Sequence, residues 1–507
     1  MKAILFKSAA PLALALAVAG CGAMTAGSGE AEAGPAHRFG SIDFQPCTLD
    51  GGTARAVVEA RCGTLEVAED PAAPGGRQVG LNIAWLPATS AGGATDDPVF
   101  FLAGGPGQAA TTLAWHVNAA LGQVRRQRDL ILIDQRGTGG SNPLDCRDAA
   151  GEPLQLDPKA MLSAETMLPY VRACLASVEQ RADPRLYTTG HAIADLDAVR
   201  EALGVEQVNL VGGSYGTRVA QQYAGAFPER VRTMVIDGVA PNDVVVGGEF
   251  DRTFERTLQL QSEYCSADEQ CRERFGGDLR ERMRQVMERL REAPVEGEFH
   301  HPRTHALQRD TVTADAVTGL AFFFSYAPHT ISMLPLLLDE AAQGRYGPLM
   351  SLTAFGNEQM MDMVNRGMQW SVLCAEDAPR HEPDTDADTI LGPDAAQMLF
   401  TACQAWPAGT PREGHAAPLE SDVPALLLSG ELDPVPPPEY AARVLAGLPN
   451  GRHLVLDGQS HGTLVAGCMP RLVAQFIESA DAGALDAACL DHVRPVPPFT
   501  SFNGWEP

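Results

Sequence analysis

The chain has 507 residues, 45% of them hydrophobic and 20% charged, the balance of a folded protein and enough length for one large domain with an insertion, or for two domains. Asp and Glu total 64 against 38 Lys and Arg, and the net charge of −26 repels a phosphate backbone, so nucleic-acid binding is disfavoured. The lysines are confined to Lys2, Lys7 and Lys159, which leaves phosphate-loop and Schiff-base chemistry without a well-placed amine.

Lys2 and Lys7 precede a short apolar run, Pro11 to Gly20, sufficient for the core of a signal peptide and too short to span roughly 30 Å of hydrocarbon. Residues 1–20 are expected to be an export signal. Their end, Val18-Ala19-Gly20-Cys21, is similar to a bacterial lipobox, in which small residues admit the signal peptidase and the Cys21 thiol receives the lipid. Residues 21–40, rich in Gly, Ala, Ser and Glu, then read as a lipidated tether holding the protein at a membrane of the cell envelope. No later stretch approaches about 18 uninterrupted apolar residues.

Setting Cys21 aside leaves ten of the 11 cysteines, an even set that argues for disulfides in an exported protein. Sequence leaves the connectivity open. Pairing neighbours avoids entangling the chain: Cys47 with Cys62, Cys146 with Cys174, Cys265 with Cys271, Cys374 with Cys403, Cys468 with Cys489. No C-x₂-C spacing occurs, so a zinc site is not expected.

From residue 41 onward, short apolar runs end repeatedly in glycine-rich or acidic turns: Val99 to Leu102, Leu130 to Ile133, Val208 to Val211, Met234 to Ile236, Ala425 to Leu428 and His453 to Leu456. Near-continuous apolar strands separated by helix-like stretches such as Ala192 to Leu203 predict a mostly parallel sheet with helices on both faces, an α/β fold. The spacing fails over residues 241–400, which read as an inserted helical cap. The core is thus expected over residues 41–240 and 401–507. Within the cap, Met360, Met361, Met363 and Met368 favour core packing. The Glu382 to Asp388 stretch lacks the glycine and distal glutamate of a calcium loop, and His300 to His305 reads as surface rather than metal site.

The chemistry concentrates in Gly212-Gly213-Ser214-Tyr215-Gly216. This G-x-S-x-G pattern follows a strand and opens a helix, the setting in which a strained elbow aims a nucleophilic serine outward. A serine hydroxyl needs a base. His461, in a loop just beyond the last apolar strand, suits that role, whereas His453 begins the strand and His492 lies near the terminus. A carboxylate must then fix the imidazole tautomer. Asp433, after the penultimate strand, gives the chain order Ser, Asp, His; Asp237 and Glu431 are rivals. The oxyanion needs backbone N–H donors, expected from Tyr215 and from Gly105 in the turn Gly104-Gly105-Pro106-Gly107. This chemistry requires no cofactor.

With Asp134-Gln135-Arg136-Gly137-Thr138-Gly139-Gly140-Ser141, these segments resemble the proline iminopeptidase and tripeptidyl aminopeptidase family of serine peptidases with the α/β-hydrolase fold, over roughly residues 80 to 490. Ala103 stands where the iminopeptidase branch usually has histidine, which favours the tripeptidyl branch. The resemblance implies release of residues from peptides with a free N-terminus, and a carboxylate near the cap to hold the ammonium, for which Glu376, beside Asp377, is the candidate. The same triad would serve a carboxylesterase, and a noncatalytic surface lipoprotein could retain the fold.

Overall fold

The computed structural model describes residues 37–50, 57–148, 150–154, 163–384, 388–392 and 394–504. The expected export signal, Cys21, residues 22–36 of the tether, Lys159 and residues 385–387 of the acidic stretch lie outside them, as do the side chains of Met360 and Met361. The strands are β1 (His37–Phe39), β2 (Ile42–Asp50), β3 (Val57–Ala68), β4 (Gln78–Leu86), β5 (Val99–Leu102), β6 (Leu130–Ile133), β7 (Val208–Gly213), β8 (Val231–Asp237), β9 (Val295–His300), β10 (Leu307–Val312), β11 (Ala425–Gly430) and β12 (Gly451–Leu456). Ten of them form one sheet in the order β1-β2-β3-β4-β6-β5-β7-β8-β11-β12.

The six apolar runs singled out in the sequence are the parallel part of that sheet, β6-β5-β7-β8-β11-β12. Helices cover both faces of the inner strands, so β5, β6 and β11 are buried at every position and favour apolar residues throughout, whereas the edge strand β12 leaves Val455 exposed. Phe100, Ile131, Leu210, Met234 and Leu427 pack into the core on one face. Phe101, Leu132, Val211, Val235 and Leu428, one residue further along, pack into the core on the other. Strands β1 to β4 extend the sheet by antiparallel pairing, with β4 joined to β6. They are absent from the sequence expectation.

The segment between β8 and β11 is mainly helical, with the long helices Phe250–Ala267, Leu279–Glu292 and Gly347–Met363. It has its own core around Phe254, Leu258, Met283, Leu320 and Leu337. It also contains the antiparallel hairpin β9-β10, which the expectation of a helical cap misses. His301, expected at the surface, is only 6% exposed and bonds Glu358 at 2.8 Å. Met368 is fully buried in the main core, whereas Met363 is exposed.

All five disulfides join cysteines adjacent in sequence order: 47–62, 146–174, 265–271, 374–403 and 468–489. Among the described residues no helix is long and apolar enough to cross a membrane.

Candidate active site

Strand β7 ends at Gly213, and the helix Tyr215–Ala226 starts two residues later. The single residue between them, Ser214, has φ 55° and ψ −126°, a conformation that costs a non-glycine residue about 1–3 kcal/mol and persists only where its surroundings enforce it. Those surroundings are backbone packed against backbone. A Cβ on Gly216 would collide with the Leu102 carbonyl oxygen of β5, and one on Gly104 would lie 3.0 Å from Ser214 Cβ. The Ser214 N–H donates to the Asp237 carbonyl at 2.9 Å, fastening the elbow to the end of β8.

The base candidate reaches the same place from the far end of the chain. His461 Nδ1 lies 2.9 Å from Asp433 Oδ2 and 3.1 Å from Oδ1, which assigns the Nδ1 proton to the bond with the carboxylate. Asp433 is completely buried and also accepts the Val435 N–H at 2.8 Å. Gly238 follows directly on β8 with φ +66°; a Cβ there would come within 3.1 Å of His461 Cε1 and 3.5 Å of Asp433 Oδ2. Glycine takes this positive φ without strain and leaves the imidazole and carboxylate room against that strand end. Burial works against the imidazolium, but the charge and hydrogen bond of Asp433, with Asp237 behind, outweigh it and raise the His461 pKa. The ring and Ser214 Oγ are not hydrogen-bonded to each other here. Such contacts commonly tighten when substrate is seated.

The rival carboxylates are otherwise engaged. Glu431 accepts the Tyr264 hydroxyl at 2.6 Å and the Gly458 N–H at 2.8 Å. Asp237 accepts the Thr463 and Leu464 N–H groups at 2.6 and 2.9 Å, with the Thr463 hydroxyl at 2.9 Å. It therefore anchors the loop immediately after His461, a role the sequence expectation misses.

Ser214, Tyr215 and Gly105 line one hollow, walled on the cap side by Glu249, Phe250 and Tyr326. Tyr326 also accepts the His461 N–H through its carbonyl at 3.1 Å and presents its ring to the imidazole edge-on, centroids 5.2 Å apart. The cap likewise holds the glycine turn, because the Asn365 N–H donates to the Gly107 carbonyl at 2.8 Å. The Asp134-to-Ser141 motif is held by its own buried contacts. Asp134 accepts the N–H groups of Thr111 and Gly140 at 2.9 and 3.0 Å, and buried Arg136 forms a two-pronged ion pair with Asp195, both contacts at 2.6 Å.

Glu376 is not where a substrate ammonium would meet it. It is 1% exposed, and its two oxygens accept the Thr189 N–H at 2.7 Å and the Thr189 hydroxyl at 2.8 Å. Asp377 is buried against Arg218 at 3.0 Å. The carboxylate that does line the hollow is Glu249. It stands immediately before the helix Phe250–Ala267, yet its side chain does not cap it and instead accepts the Tyr440 hydroxyl. No group of three or more His, Cys, Asp or Glu suited to a metal ion occurs among the described residues.

Residues 97–465 match the family described as alpha/beta hydrolase fold. The chain is similar to serine protease Hip1 of Mycobacterium tuberculosis, with 27% identity covering 95% of this chain and 96% of that protein. It is also similar to the tripeptidyl aminopeptidase of Streptomyces coelicolor, with 23% identity covering 90% and 87%. Among solved structures, a proline iminopeptidase of Mycobacterium smegmatis aligns with 83% of this chain and 100% of its own, at 16% identity and a TM-score of 0.39.

Proposed function

Because the chain belongs to the α/β-hydrolase fold family, we propose that it is an exported serine exopeptidase that releases short peptides or single residues from free peptide N-termini. The observation that carries this reading is the strained Ser214 on a hollow beside the pair of His461 and buried Asp433. In the proposed reaction Ser214 Oγ attacks the scissile carbonyl carbon while His461 Nε2 takes the hydroxyl proton. Asp433 stabilises the resulting imidazolium, and the N–H groups of Gly105 and Tyr215 hold the oxyanion. His461 returns the proton to the departing amine, leaving an acyl-enzyme that water hydrolyses by the same path. The names of the relatives, a serine protease and an aminopeptidase, support peptides over esters.

Selection for an N-terminus requires an anion where the substrate amine lies. Glu249 fits, since it is a carboxylate in a largely apolar hollow, where an ion pair is stronger than in water. Export is supported by the five disulfides and by the character of residues 1–20, with Cys21 as the point of lipid attachment. The test is labelling by a fluorophosphonate together with turnover of peptidyl anilides. Both should vanish in Ser214→Ala, and turnover alone should vanish when the substrate is N-acetylated. Hydrolysis indifferent to acetylation would instead indicate an esterase-like enzyme.

A further inference from the structure

Behind Ser214 runs a buried chain of polar side chains that the proposed reaction does not use. Tyr215 sends its phenol away from the hollow to Thr189 Oγ1, 2.6 Å away, and Thr189 in turn donates to Glu376 Oε2 at 2.8 Å. At the other end Gln135 Nε2 lies 3.4 Å from the phenol oxygen. Glu376 comes from Leu373–Asp377, a single wide helical turn of the cap tied to Cys403 through Cys374. Three distant parts of the chain thus meet on the residue whose N–H is proposed to hold the oxyanion.

We propose that Glu376 is a positioning residue for acyl transfer: its ionised carboxylate fixes the direction of the Tyr215–Thr189–Glu376 hydrogen bonds and so holds the start of the nucleophile helix in its productive place. This rests on the reading of Ser214 as nucleophile.

The direction follows from counting protons. Each hydroxyl has one proton to donate. An ionised Glu376 accepts from both Thr189 groups, which leaves the Thr189 oxygen to accept from Tyr215. When Glu376 is protonated, the backbone N–H of Thr189 still occupies Oε1, so the acid proton sits on Oε2 and points at Thr189 Oγ1. Thr189 must then turn its own proton toward the phenol, whose proton is driven toward the Gln135 amide nitrogen, itself a donor. The chain reverses and loses a partner at the Tyr215 end.

The charged groups packed around Glu376 are few. Arg218 on the nucleophile helix favours ionisation, Asp377 next to it opposes it, and Arg380 donates through Nε to the Glu376 carbonyl at 2.7 Å. Burial is the largest influence, and the balance pushes the Glu376 pKa up to about 7. Asp377 performs a companion service, accepting the Val246 N–H at 2.9 Å on the wall of the hollow.

The experiment compares kcat for a peptidyl anilide between pH 6 and 8.5 in wild type, Glu376→Gln and Thr189→Val. A glutamine imitates the protonated acid, with its amide donating to Thr189. At pH 8.5 its kcat should therefore fall roughly tenfold, as for a lost charge-assisted hydrogen bond, with KM little changed, and should converge on wild type at pH 6. The wild-type acid limb should be steeper than unit slope near neutrality. Thr189→Val, which keeps the shape without the hydroxyl and serves if Glu376→Gln does not fold, should show unit slope. A wild-type to variant ratio equal at both pH values, or an acid limb of unchanged steepness in Thr189→Val, overturns the proposal. Fluorophosphonate labelling of wild type separates the two readings. A labelled enzyme with pH-independent ratios refutes only the role of Glu376, while an unlabelled one refutes the nucleophile as well.

Discussion

At the scale of single residues, the site depends on which carboxylate meets His461. Asp433 does so with both oxygens, at 2.9 and 3.1 Å. Asp433→Asn should lower kcat by about 10⁴, because the amide stabilises the wrong tautomer and no imidazolium. The same variant carries a stability signature. The folded His461 pKa is raised above its unfolded value, so its contribution is full below about pH 6.5 and is lost as pH rises through the folded value. Asp433→Asn should therefore lose more stability at pH 5.5 than at pH 8.5, measured by urea denaturation midpoints. Asp433 and His461 are readable in sequence because each sits in a loop directly after an apolar strand. The surroundings of Glu376 are not. Thr189 lies 187 residues away, and nothing in Leu373-Cys374-Ala375-Glu376-Asp377 tells a buried acid from a solvated one.

At the scale of elements, the elbow separates Gly216, which the G-x-S-x-G pattern specifies, from Gly213, which occupies one of its variable positions. A Cβ on Gly216 would run into the Leu102 carbonyl, whereas one on Gly213 would meet nothing within 4 Å. Gly216→Ala should cost several kcal/mol or prevent folding, while Gly213→Ala should remain within about 1 kcal/mol of wild type; thermal unfolding of the two variants checks the contrast. The parallel strands are legible because burial on both faces writes unbroken apolar runs such as Leu130-Ile131-Leu132-Ile133. Strand β3 is not, since charged Glu59, Arg61 and Glu66 interrupt it and its exposed positions pass from one face, at Val57 and Glu59, to the other, at Thr64 and Glu66. The hairpin β9-β10 hides for the same reason, with Glu296, Glu298, Arg309 and Asp310 along its exposed positions.

At the scale of the whole molecule, a net charge of −26 makes the folded state repel itself. Moving from about 10 mM to 150 mM salt, which shortens the screening length from roughly 30 to 8 Å, should raise Tm, by differential scanning calorimetry. The disulfides each close a short segment, with separations of 6 to 29 residues. They stiffen local loops and leave the pairing of distant strands to the sheet.

Two backbone contacts of the inserted segment bear on the glycine turn and the histidine loop: Asn365 on the Gly107 carbonyl and the Tyr326 carbonyl on the His461 N–H. Pruning it to admit bulkier substrates would withdraw the scaffolding of both the glycine turn and the imidazole. Engineers seeking a roomier catalyst should reshape the inner wall, at Val245 or Phe250, and leave those two struts standing.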